Sequence, residues 1–207
     1  MNKSESAIGE TEMIYACKYS FGKLCKQNEL EYQRIIADKL LSFALKRNFD
    51  LNINEINIKL GTHGKPYIEN SDIHYNISHC SGIVCLSLGK TESGIDVDKL
   101  RPYNERLAGK VCTSAEICEI EQSENGELMF MKFWTLKESY VKLIGLGLSF
   151  GTKNIEFSLK EKIPKITNIN EPDIQIFQQV IDDEFVLSCC VKSEVPERIE
   201  VLNLDLL

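Results

Sequence analysis

The 207-residue chain contains no run of about 18 uninterrupted apolar residues, so no transmembrane helix is expected. It has no CxxC pair among its eight cysteines, at 17, 25, 80, 85, 112, 118, 189 and 190, and only three histidines. A zinc site needs four closely spaced ligands, which this pattern does not offer. The cysteines are expected to be reduced and to serve as small buried hydrophobes. Positive charge is in deficit: 24 Lys and Arg stand against 31 Asp and Glu, a net charge of −7. That balance opposes a general nucleic-acid binder. It also means that an anionic ligand must be held by a local cluster of donors against the global field. Met1 to Glu12 is polar and lacks a basic-then-apolar signal pattern, so a cytoplasmic protein is expected.

What is present is ordinary for a globular protein: 43% hydrophobic and 27% charged residues, enough for one domain or two small ones. Residues 1–11 read as frayed, and Glu12 to Tyr19 reads as a strand. From Leu30 to Arg47 the apolar residues Ile35, Ile36, Leu40, Leu41, Ala44 and Leu45 follow the helical period, until Asn48 to Asp50 ends the helix. Asn54 to Leu60 alternates as a half-buried strand, and further strands are expected at Ile73–Ser78, Ile83–Gly89 and Ser93–Val97. Lys99 to Asn104, interrupted by Pro102, is the linker candidate. A helix over Ser114–Glu124, with Ser114 as N-cap, and a second over Glu127–Ile144, closed by Gly145, come next. Four strands are expected in the remainder, at Asn154–Leu159, Ile174–Val180, Glu184–Val191 and Arg198–Leu204. The expected fold is α+β, with two similar lobes, each an antiparallel-rich sheet with a long helix, divided at about residue 100.

Three constellations stand out. In Gly94-Ile95-Asp96-Val97-Asp98 the alternation of a strand puts Asp96 and Asp98 on one face and Ile95 and Val97 on the other. Two carboxylates side by side need solvent, a basic partner or a hard divalent cation. In the run Phe133 to Lys142, Trp134, Glu138 and Lys142 recur every four residues and share an arc of about 80°, opposite Phe133, Leu136, Tyr140 and Leu143. Lys137 falls at the margin of that arc, and a salt-bridged surface would account for Glu138 and Lys142 equally well. Finally, a Gly–Pro bracket fixes Lys65 in Gly64-Lys65-Pro66, and Ser78 and His79 close the strand Asn76-Ile77-Ser78-His79. His79 there is either a phosphate donor or a structural histidine.

GKP at 64–66, NISH at 76–79, GIDVD at 94–98 and FWTLKESYVK at 133–142, in this order, resemble the 4′-phosphopantetheinyl transferase superfamily. The closer likeness is to its two-lobed type, which activates peptide and polyketide synthases. The resemblance covers about Arg34 to Ser149. It implies transfer of phosphopantetheine from coenzyme A to a serine of an apo acyl or peptidyl carrier protein, with release of 3′,5′-ADP. It implies Mg²⁺ held by Asp96, Asp98 and Glu138, with Glu138 and Lys142 catalytic. Arg34, Lys65, Ser78, His79, Trp134, Lys137 and Glu116 would meet coenzyme A, and Lys23 and Lys26 match two upstream lysines. Asp98 stands where close relatives often carry Glu, and its shorter arm holds the carboxylate further back.

The expected protein is a monomeric transferase with no nucleic-acid or membrane partner. Two other functions use the same residues. A Mg²⁺-dependent nucleotide pyrophosphate hydrolase would break down coenzyme A without a carrier. A non-catalytic coenzyme A or carrier-binding module would bind tightly without transfer.

Overall fold

Alternation along the strands sorts the apolar residues into three cores and thereby sets the layers. The structure, a computed structural model, describes residues 11–20, 26–192, 194–196 and 198–207. Strand β1 (Met13–Lys18) is followed by helix α1 (Lys26–Phe49). Short strands β2 (Ile58–Leu60) and β3 (Pro66–Ile68) form a hairpin around Lys65, and β4 (His74–Cys80), β5 (Ile83–Gly89) and β6 (Ser93–Lys99) come next. Helices α2 (Glu105–Val111), α3 (Ser114–Gln122) and α4 (Gly126–Ile144) lead to the small pair β7 (Phe157–Ser158) and β8 (Lys165–Ile166). The hairpin β9 (Gln175–Ile181) and β10 (Phe185–Val191) and the short β11 (Glu200–Leu202) complete the order.

The first sheet runs β11-β1-β5-β4 and the second β6-β10-β9. Every pairing is antiparallel except β1 with β11. On β5, Val84, Leu86 and Leu88 face α1, whose Ile36, Leu40, Ala44 and Leu45 bury one helical stripe against them. Ile83 and Cys85 point the other way, with Ile14 and Ala16 of β1, against Ile95, Val97, Leu187 and Cys189 of the second sheet. The outer face of β10, through Val186 and Cys190, meets α4 and the third core. The layers are thus α1, sheet, sheet, α4. Helix α1 stops at Asp50, which takes a left-handed φ of 54°. Helix α4 stops at Gly145, with φ 70°.

Several boundaries differ from expectation for local reasons. Ile35 lies one position off the α1 stripe and is exposed. Asn54 to Leu60 is a 3₁₀ turn (Ile53–Glu55) plus a three-residue strand whose side chains are exposed, so it is not a half-buried strand. Helix α3 is capped by Thr113, not Ser114: the Thr113 hydroxyl accepts from the Glu116 N–H while the Glu116 carboxylate accepts from the Thr113 N–H. A cut at residue 100 would divide both sheets, because β6 pairs with β10 and β11 with β1. Cys17, Cys85, Cys112, Cys189 and Cys190 are buried free thiols, whereas Cys118 is exposed. Among the described residues no helix is long and apolar enough to cross a membrane. Residues 1–10, Lys23 and Cys25 lie outside the described residues, as does the side chain of Lys26.

Candidate active site

Gly94 decides how closely α4 lies on β6. A Cβ there would stand 2.1 Å from the Ser139 carbonyl oxygen and 2.2 Å from the Leu143 backbone nitrogen. Only glycine lets the helix backbone come this near, and the approach brings the Glu138–Lys142 face over Asp96. The other edge of β6 meets β4, and side chains of β4 satisfy its backbone. The Ile95 N–H donates to Asn76 Oδ1 (2.9 Å) and the Val97 N–H to Ser78 Oγ (3.2 Å). The seam between the sheets therefore carries polar groups where a continuous sheet would carry a ladder.

A cleft of about 500 Å³ opens along this seam, lined by Ser78, His79, Asp96, Asp98, Trp134, Glu138 and Lys142 among others. Lys142 Nζ donates to Asp96 Oδ1 (2.8 Å), Ser78 Oγ (2.9 Å) and the Ile95 carbonyl (3.0 Å). All three ammonium protons are thereby used. Ser78 Oγ also donates to Asp96 Oδ1 (2.9 Å). Burial raises the Glu138 pKa, and the nearby charges of Asp96 and Asp98 push the same way against Lys142. Among the described residues Glu138 has no hydrogen-bond or ion-pair partner. Burial also raises the Asp98 pKa, although Arg101 and the Lys99 N–H oppose it. Desolvation, with the charges of Lys142 and Arg34, lowers the His79 pKa.

The other expected site residues are distributed differently. Lys65 lines a second cleft of about 300 Å³ with His63, Gly64, Pro66 and Asn76, and this cleft shares Glu138 and Lys142 with the first. Its ammonium donates to the Ser93 carbonyl (2.9 Å) and the Leu143 carbonyl (3.1 Å), so it ties the β2–β3 loop to the end of α4. Arg34 is exposed on α1, close enough for its charge to reach His79.

Lys137 and Glu116, both expected to meet coenzyme A, do not line the cleft. They form an ion pair of 2.8 Å with side chains 0% exposed. Lys137 Nζ also donates to the Thr152 (2.9 Å) and Ile155 (2.6 Å) carbonyls, and Glu116 accepts from the Thr113 (2.8 Å) and Phe157 (2.9 Å) N–H groups. Lys137 is four residues after Phe133 and three before Tyr140, both core residues, so the helical turn sends it inward. A charge there survives only with a partner.

Arg101 was not singled out from the sequence. Its guanidinium pairs with Asp98 (2.9 Å) and lies 5.1 Å from the centre of the Trp134 ring. The spacing Asp-x-x-Arg just before Pro102 was the available signal.

Three carboxylates facing one cleft form an oxygen donor set suited to a hard cation, and the Cys80 thiol that also lines it is held protonated by burial, its pKa pushed up to about 12. As the side chains stand, no group of three His, Cys, Asp or Glu among the described residues encloses a metal position. Lys142 sits on Asp96 and Arg101 on Asp98.

Residues 92–190, from just before β6 through β10, match the family model of the 4′-phosphopantetheinyl transferase superfamily. The chain is 26% identical over 202 residues to a 4′-phosphopantetheinyl transferase of Bacillus subtilis, covering 92% of this chain and 88% of that one. It is 25% identical over 182 residues to the transferase Sfp of Bacillus subtilis strain 168, covering 84% and 80%. Among solved structures it is similar to a holo-[acyl-carrier-protein] synthase of Thermotoga maritima, with a TM-score of 0.43 and 18% identity, covering 51% of this chain and 64% of that one.

Proposed function

We propose that the protein transfers the phosphopantetheine arm of coenzyme A to a serine hydroxyl of an apo acyl or peptidyl carrier protein and releases 3′,5′-ADP. The observation that carries this reading is the meeting of Asp96 and Asp98 from β6 with Glu138 and Lys142 from α4 along one cleft, within the segment that matches the superfamily's model. The serine oxygen bonds to the β-phosphorus, the bond from that phosphorus to the bridging oxygen breaks, and the nucleotide leaves with that oxygen. Glu138, free of other partners, accepts the serine proton. Lys142, shared by both clefts, supplies a donor where charge gathers on the departing phosphate. Lys65, Ser78, His79, Arg34 and Trp134 are the residues proposed to meet coenzyme A along the joined clefts. Asp96, Asp98 and Glu138 would hold Mg²⁺. Such a cation, when bound, offsets the repulsion between the diphosphate and the incoming oxygen.

Both halves of the site come from one chain, which supports a monomer. Exposed Arg106 and Lys110 of α2 are the proposed contact for an acidic carrier. The test is incubation with coenzyme A, Mg²⁺ and several apo carriers, followed by weighing of the carriers. Gain of the phosphopantetheine mass on at least one is expected. A full panel left unmodified would overturn the reading, and coenzyme A consumed without a carrier would favour a hydrolase.

A further inference from the structure

Asp98 differs from the other two carboxylates of the cleft in that both of its oxygens are occupied from within the chain. Oδ1 accepts from the Lys99 N–H (2.8 Å) and Oδ2 forms an ion pair with Arg101 Nη2 (2.9 Å). The guanidinium is held in place by more than its charge. It lies 5.1 Å from the centre of the Trp134 ring, within cation–π range. Trp134 is itself steadied by Phe130, with ring centroids 6.2 Å apart. Arg101 precedes Pro102, which biases its backbone to an extended conformation and fixes where the side chain sets out. Trp134 stands one helical turn before Glu138 on the same face of α4, so the platform that carries the guanidinium borders the carboxylate cleft.

We infer that Arg101 sets how tightly this cleft holds a divalent cation, by competing with the cation for the Asp98 carboxylate. The inference rests on the proposed cation site at Asp96, Asp98 and Glu138 and adds a residue to it. Arg101 is a positioning residue: it acts through Asp98 and contacts neither substrate nor reacting atoms. Two positive charges cannot share one carboxylate without loss to both, whereas Glu138 has both oxygens and Asp96 has Oδ2 without a protein partner among the described residues. The cation therefore depends chiefly on Asp96 and Glu138 while Arg101 stays seated on Trp134, and it gains Asp98 when Arg101 is removed.

The test is the binding of manganese(II) alone, read by electron paramagnetic resonance of the free ion, with no coenzyme A, carrier or turnover. Arg101→Ala should bind manganese about fivefold more tightly than wild type, the ratio expected when an exposed ion pair no longer competes. Arg101→Lys, which keeps the charge but not the planar stack, should fall between them. Asp98→Asn added to Arg101→Ala should cancel the gain. Circular dichroism verifies that each variant is folded. If Arg101→Ala binds manganese as wild type does, or more weakly, the competition is overturned. In that case, binding by wild type that is lost in Asp96→Asn leaves the cation site standing. If neither wild type nor Arg101→Ala binds manganese, the cation site and the competition fall together.

Discussion

Glu12 is 1% exposed, and neither of its carboxylate oxygens has a hydrogen-bond partner. The Ser87 and Ser93 hydroxyls beside it bond each other at 2.8 Å. Burial, only partly offset by Ser93, Lys65 and Ser87, pushes its pKa up to about 7. A carboxyl whose folded pKa is raised favours folding less as pH rises. Below the unfolded value of 4.5 both states hold the proton; from there to about 7 the unfolded state alone releases it. Glu12→Gln should therefore be more stable than wild type at pH 8, by up to about 3 kcal/mol, with the gap closing towards pH 4.5. Urea unfolding of both proteins across that range measures it. A gap independent of pH would contradict the assignment.

The Lys137–Glu116 pair makes a second prediction at the scale of single side chains. Removing one partner leaves an uncompensated charge in a dry interior, so Lys137→Met or Glu116→Gln should cost about 3–5 kcal/mol. Lys137→Met combined with Glu116→Gln should cost less than the sum, since both charges leave together. Denaturant unfolding reads both, and an additive double variant would refute the pairing. At this scale the sequence pattern was half legible. Four-residue spacing placed Trp134, Glu138 and Lys142 on one face because that face borders the cleft. The same geometry puts Lys137 on the Phe133–Tyr140 stripe, but its buried partner lies 21 positions away in sequence, where no local pattern points to it.

At the scale of elements, the tightest constraint is the seating of α4 on β6. Gly94→Ala would drive a methyl group into helix backbone, which cannot swing aside as a side chain would. A loss of about 3 kcal/mol and a matching loss of transfer are expected, read by urea unfolding and by carrier modification. Wild-type stability for Gly94→Ala would mean that the helix stands further off. Long elements with strong periodicity, α1, α4, β5 and β10, were legible because burial on one or both faces imposes the pattern. Short ones were not: α2 and the two-residue strands β7 and β8 are too brief to show a period. Exposed β2 has no buried face to impose one.

For the whole molecule, the site depends on a topology that no local pattern encodes. Strand β6 leaves its chain neighbours β4 and β5 to pair with β10, and β11 returns to lie parallel to β1. The crossing of β6 into the second sheet carries Asp96 and Asp98 to α4, while β4 stays in the first sheet and brings Ser78 and His79 to the same seam. The ordered motifs made the α+β class and the membership of the site legible, whereas the exchange of strands required the long-range register. The most direct measurement of the central claim, that carboxylates from β6 and α4 act together, is carrier mass after reaction with coenzyme A and Mg²⁺ for wild type, Asp96→Ala and Glu138→Ala. The account predicts that wild type modifies a carrier, that each variant loses transfer by at least about 100-fold, and that both remain folded. Transfer by either variant at the wild-type rate would contradict it.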